Sequence, residues 1–226
     1  NGHRYIVWKE DDNYIFLAVS GSEDRSDMWA EFREPDGKEG NPSEDDFAES
    51  TTKPSISELH KGKAYGIDIS QHNGDFDITG QDFVIIRASY GVFEDGWFRG
   101  NVKKCEEKGI PYGVYVYDYA YDVDGGVEQA EYVLNLIKDC NVTCGVWFDI
   151  EDADGFKEKN GLLSREHITS VVDAFTDVIE RAGYFVGIYS TPYWFETYMP
   201  DIKCKNRWIA HWNVNDGAEH DDFSDI

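Results

Sequence analysis

No stretch of this sequence stays apolar for the roughly 18 residues that a membrane-spanning helix requires, so no membrane partner is expected. Basic residues are scarce. The 21 Lys and Arg stand against 45 Asp and Glu, a formal net charge of -24. Such a chain lacks the cationic surface that phosphate backbones demand, which excludes nucleic acid as a partner. Capture on anionic membranes or wall polymers is disfavoured for the same reason, and the plain service of the charge is solubility. No Gly-x-Gly-x-x-Gly or P-loop follows a strand-like run, which weakens a nucleotide-binding reading. Cysteines number four, Cys105, Cys140, Cys144 and Cys204. The Cys140-x-x-x-Cys144 spacing has no paired Cys/His partners, so a zinc site is not expected there; no cofactor is expected either. One or two disulfides are expected, among three complete pairings, with buried thiols as the alternative. The opening Asn1-Gly2-His3-Arg4 has no signal-peptide core. Secretion therefore implies that a signal was removed or that the chain starts within a longer protein.

What the sequence does hold is enough apolar material for a core. Its 226 residues are 41% hydrophobic and 15% aromatic, sufficient for one large domain with a short appendage. The texture changes near residue 54. Before it, residues 4–8 and 14–19 read as two strands, with Glu10-Asp11-Asp12-Asn13 as a hairpin turn. The acidic, Gly- and Pro-bearing stretch 34–54 reads as linker or surface loop. Residues 1–53 are thus an N-terminal extension without a catalytic pattern, and residues 54–226 form the main domain.

From residue 65 short apolar strands alternate with helical segments. Strands are expected at 66–70, 83–89, 112–117, 145–151, 185–190 and 207–212, and helices at 101–108, 126–138 and from Ser164 to about Ala182. Five or six βα-like units in series give the fold class: α/β, a parallel barrel or doubly wound sheet.

Polar residues at strand ends mark the candidate chemistry. Asp68 lies in the first strand of this series, and Asp149 and Glu151 close the fourth. Side chains two apart on a strand share a face, so this pair projects together at the end where βα barrels carry their sites. Neighbouring carboxylates repel, and at least one should hold its proton near neutral pH. Glycosidic cleavage uses such a pair, as acid and as counter-charge. A Ca²⁺ or Mg²⁺ site, or a solvated loop start, fits the bare spacing too. Tyr90, Tyr115, Tyr117, Tyr189 and Trp212 also sit in or at the ends of strands, where rings can stack on sugars or fill the core.

The ordered stretches 65–74, 83–91, 113–117, 148–151, 187–190 and 208–212 resemble the family 25 glycoside hydrolases, the muramidase-type lysozymes. They include Gly66-Ile67-Asp68-Ile69-Ser70, Phe148-Asp149-Ile150-Glu151 and Trp208-Ile209-Ala210-His211-Trp212. The resemblance implies a (β/α) TIM-like barrel, irregular or incomplete, and a secreted or wall-associated monomer that cleaves peptidoglycan after N-acetylmuramic acid. It implies Glu151 as general acid and Asp149 as stabiliser or nucleophile. Asp68 would bind substrate or tune the pair. Tyr115, Tyr117, Tyr189 and Trp212 would line the groove, with Tyr90 beside them. Arg87 would bind substrate or form a structural salt bridge. The family's usual last strand, with an aromatic-Gln-Tyr pattern and a late Asp, is expected where the chain stops at Ser224-Asp225-Ile226. The barrel is therefore read as truncated before it. A non-catalytic peptidoglycan-binding module on a decayed hydrolase fold is the alternative.

Overall fold

Alternation along the strands decides which side chains meet the helices and which enter the barrel. The computed structural model describes residues 3–10, 13–19 and 64–211, with side chains for 66–210. Trp212 and the segment 20–63 lie outside the described residues. Strands β1 (His3–Glu10) and β2 (Asn13–Val19) come first, followed by β3 (Ala64–Ile69) and a 3-10 turn at Gln71–Asn73. Next are β4 (Phe83–Tyr90), the short β5 (Phe93–Glu94), α1 (Phe98–Lys108), β6 (Tyr112–Tyr117) and α2 (Val123–Ile137). Then come β7 (Val146–Asp149), the one-turn α3 (Phe156–Lys159), α4 (Arg165–Arg181), β8 (Val186–Ser190), α5 (Pro192–Tyr198) and β9 (Arg207–His211).

Strands β3, β4, β6, β7, β8 and β9 pair in that order, all parallel, and curl into a half-barrel. This is the expected irregular TIM-like architecture. The N-terminal hairpin spans the remaining gap. Its β2 runs parallel to β9 and its β1 antiparallel to β3, so the edge of β9 that the sequence leaves open is hydrogen-bonded.

On β7, Val146 and Phe148 face the helices, while Trp147 and Asp149 face inward. Phe148 stacks on Phe175 of α4 at 3.8 Å between ring centroids. The other strands repeat the pattern. Ile67 and Ile69, Val84 and Ile86, Val114 and Val116 lie in the outer layer, and Phe83, Ile85, Tyr115, Tyr189 and Trp208 fill the barrel. Helix α4 begins at the expected cap, with the Ser164 hydroxyl accepting from the His167 N–H.

Large rings inside the barrel need small neighbours. A Cβ on Gly66 would collide with the Phe83 ring, and one on Gly187 with the Trp147 indole. Gly187→Ala is accordingly expected to cost about 1–3 kcal/mol through overpacking. The check is a lowered urea midpoint at unchanged slope.

Correcting the expectation of disulfides, the four cysteines form none with one another. Cys105, Cys144 and Cys204 are instead distributed through the apolar interior, where a small thiol packs as a hydrophobe.

Candidate active site

Inward-facing positions at the C-terminal ends of the strands converge. Asp68 near the end of β3, Arg87 of β4, Tyr115 and Tyr117 of β6, Asp149 at the end of β7 and Tyr189 of β8 all lie on the barrel side of the sheet. Strand β7 closes at Asp149, two residues short of the expected end. The chain nevertheless continues alongside β8. The Ile150 N–H donates to the Tyr189 carbonyl at 2.9 Å, and the Ser190 hydroxyl donates to the Ile150 carbonyl at 2.5 Å. Glu151 is thereby held at the rim, half-buried.

Asp149 is 6% exposed, and one of its carboxylate oxygens has no hydrogen-bond partner among the described residues. Burial, and then the neighbouring Glu151 charge, push its pKa well above the usual carboxylate range, against the pull of Lys157. Burial also raises Glu151, opposed by Lys157 and assisted by Asp68 and Asp154. The two carboxyls titrate as a pair that retains a proton above the ordinary carboxylate range. An orphaned, buried carboxylate oxygen costs stability.

Three residues that the sequence did not single out support the pair. Lys157 of α3 is 1% exposed. Its ammonium donates to the Glu151 carbonyl at 2.7 Å and the Asp118 carbonyl at 3.0 Å, and lies 3.4 Å from an Asp118 carboxylate oxygen. Asp118 in turn accepts from the Ala120 N–H and the Gln129 amide, at 2.7 and 3.1 Å. Lys157 thus ties together the chain segments that follow β6 and β7, next to the carboxylate pair. Nothing in the acidic stretch 152–159 signals this, because a lysine there reads as one more surface charge.

Asp95 is the third. The Arg87 Nε–H donates to it at 2.7 Å, so the salt-bridge alternative for Arg87 is realised. The same carboxylate accepts from the backbone of Gln71 and Trp97, at 3.0 and 2.9 Å, and so pins the loop after β3. The Arg87 Nη2 has no partner among the described residues. With Gln71, His72, Tyr90, Tyr117, Tyr119 and Asp154 it lines a cavity of about 390 Å³. Tyr117 is the register partner of Asp149 on the adjacent strand, which places this cavity at the side of the carboxylate pair.

The aromatic expectations divide. Tyr117 and Tyr90 line the cavity. Tyr115 and Tyr189 are buried against Trp208 at centroid distances of 6.2 and 4.6 Å, so their rings fill the barrel beneath the carboxylates. Burial, and after it the charges of Asp68 and Asp149, raise the pKa values of both tyrosines. Tyr119, whose hydroxyl donates to Asp154 at 2.5 Å, joins the lining although it lies beyond β6.

A family profile described as "Glycosyl hydrolases family 25" matches residues 67–225. Among solved structures, the chain is similar to the modular autolysin LytC from Streptococcus pneumoniae, in complex with synthetic peptidoglycan ligand. The identity is 27% and the TM-score 0.60, over 69% of this chain and 39% of that one. The catalytic domain of endolysin ply40, from bacteriophage P40 of Listeria monocytogenes, matches at 22% identity and TM-score 0.58, over 69% and 77% of the two chains. A family 25 glycosyl hydrolase from Bacillus anthracis matches at 22% and 0.58, over 66% and 71%. The last two likenesses concern the fold. The alignment spans well under half of the length of LytC. No curated protein matches the chain.

Proposed function

This chain belongs to the glycosyl hydrolases family 25, and from that premise we propose that it is an N-acetylmuramidase. It would hydrolyse the β-1,4 bond from N-acetylmuramic acid to N-acetylglucosamine in peptidoglycan, outside the cell or at its wall. The observation that carries this reading is the placement of Asp149, buried at the end of β7, with Glu151 two residues on and the charge of Asp68 acting on both.

Glu151 is the more exposed of the pair and serves as the general acid. Its carboxyl proton passes to the glycosidic oxygen as the bond from that oxygen to the anomeric carbon breaks. Positive charge then develops on the muramic-acid ring beside Asp149. Asp149 meets that charge as a carboxylate, because the one proton of the pair was on Glu151 before the transfer. Asp149 acts by orienting the substrate's 2-acetamido group or by direct attack. Water completes the reaction by adding hydroxide to the anomeric carbon and returning a proton to Glu151. Asp68 strengthens the negative field on both carboxyls. Tyr117 and Tyr90 offer ring faces to the sugar. The Arg87 Nη2, without a partner among the described residues, offers a charged donor to a carbonyl or carboxylate oxygen of the substrate.

The experiment is incubation with purified peptidoglycan and measurement of new reducing ends. Release above a heat-killed control supports the hydrolase. Binding to the sacculi without release would favour a non-catalytic module.

The electrostatics also fix a sign. Asp68 raises the pKa of Glu151 and Asp149, so removing its charge lowers both. The acid must be protonated to work, and its alkaline limb follows its pKa. Asp68→Asn is therefore expected to move the alkaline limb of the kcat/KM profile to lower pH, whatever it does to the maximum. An unmoved or upward-shifted limb contradicts the assignment of Asp68 as a tuning charge.

A further inference from the structure

A second cavity, of about 940 Å³, opens next to the first. The two share Tyr90 and Tyr119, so a chain lying along the cleft passes from one into the other. Aromatic rings surround the second cavity. Phe93 stacks on Tyr90 at 5.9 Å. Phe156 sits edge-on between Tyr119 and Tyr121, at 4.9 and 5.0 Å.

Two of these rings are out in water. Phe93 is 65% exposed and Tyr121 59%. Among the described residues only two other large apolar side chains are comparably bare, Val123 and Tyr193, and Val123 follows the lining residue Asp122 in sequence. Exposed apolar surface concentrated at one cavity marks a binding site. Gly91 makes the shape possible. Its backbone is left-handed, with φ +55, and a Cβ there would press on Tyr119 at 3.3 Å.

Charge narrows the occupant. Asp122, Asp124 and Glu128 line this cavity, and no lysine or arginine does. Carboxylates accept from hydroxyl and amide N–H groups but repel other carboxylates. Rings with an acceptor rim suit the C–H face and hydroxyls of a neutral sugar. A muramic-acid unit with a free carboxyl, or a stem peptide ending in carboxylates, is disfavoured there. Resting on the muramidase reading, we propose that this cavity is a distal saccharide site for an uncharged N-acetylhexosamine unit of the same glycan strand, stacked on Phe93 and Tyr121. It lets the enzyme grip long strands more firmly than short fragments.

The test compares wild type with Phe93→Ala/Tyr121→Ala on long glycan strands and on short muropeptide oligomers. Each lost stacking contact is worth a few-fold in binding. The ratio of kcat/KM, long over short, is expected to fall about tenfold in the double variant, mainly through KM. Tyr193→Ala, an exposed ring on α5 away from both cavities, should keep the wild-type ratio. An unchanged ratio in the double variant overturns the proposal. So does an equal fall in the Tyr193→Ala control.

A second readout does not need turnover. Titration of Glu151→Gln with neutral N-acetylglucosamine oligomers should show binding that weakens when Phe93 and Tyr121 are also replaced. Equal affinity with and without the rings overturns the site. Failure of wild type to release any reducing ends would overturn the hydrolase reading instead, while this titration still decides the cavity.

Discussion

Replacing Glu151 by Gln is expected to reduce peptidoglycan hydrolysis by about 10²–10⁴-fold, the usual contribution of a positioned general acid. Gln keeps the size and the hydrogen-bonding atoms but cannot deliver a proton. The fold should not suffer. A carboxyl whose pKa is raised on folding stabilises the native state fully only below its unfolded pKa. That contribution fades as pH rises toward the folded value. At neutral pH the raised values of Glu151 and Asp149 are therefore a net cost to stability. Glu151→Gln and Asp149→Asn should melt at or above the wild-type temperature near pH 7. The advantage should vanish at about pH 3, where the carboxyls are protonated in both states. A calorimetric scan at the two pH values checks this. Loss of activity accompanied by a lowered melting temperature at neutral pH would mean that Glu151 supports the structure, and the assigned role would fall.

The second large effect concerns Lys157. Truncation to Met removes an ammonium that is buried against two carbonyls and the Asp118 carboxylate. Breaking a buried pair by removing one partner costs about 3–5 kcal/mol, because the other charge stays behind uncompensated. For a domain of this size that corresponds to a melting point lower by about 6–20 °C. Pairing the change with Asp118→Asn should restore part of the loss, since the stranded charge disappears while an acceptor for the Ala120 and Gln129 donors remains. A structural role alone predicts no more than this. Lys157 also lowers the pKa of both carboxyls of the proposed pair, so residual activity in Lys157→Met should show an alkaline limb moved to higher pH, opposite to Asp68→Asn. Equal stability of Lys157→Met and wild type in urea would contradict the buried pairing.

The strands and the carboxylate pair were legible because their signals are local. Val84, Ile86 and Ala88 face one way, with Ile85 and Arg87 the other, and a period of two appears directly in the letters. Asp149-x-Glu151 is likewise a short pattern at a strand end. The supporting groups were not legible because they act across the fold. Asp95 is 8 residues from Arg87 and 24 from Gln71, and Lys157 reaches Asp118 across 39 residues. Buried lysines and aspartates look the same in a sequence as solvated ones, and the -24 net charge hides them among many acidic neighbours. Tyr115 shows the converse limit. Alternation places it correctly on the inner face, but only the packing against Trp208 shows that its ring fills the barrel. The hairpin at residues 3–19 was recognisable as a hairpin from its two apolar runs. Its pairing with β9 and β3 was not, because strand partners far apart in sequence leave no local mark.

The most direct measurement is the identity of the sugar at the new reducing end. Purified peptidoglycan is digested with the wild-type chain, the products are reduced with borohydride, and the reduced amino sugar is identified after acid hydrolysis. The account predicts that muramic acid is recovered as its alditol, and that the signal is lost in Glu151→Gln. Recovery of reduced glucosamine alone, or of the muramic alditol at the wild-type level from Glu151→Gln, would contradict it.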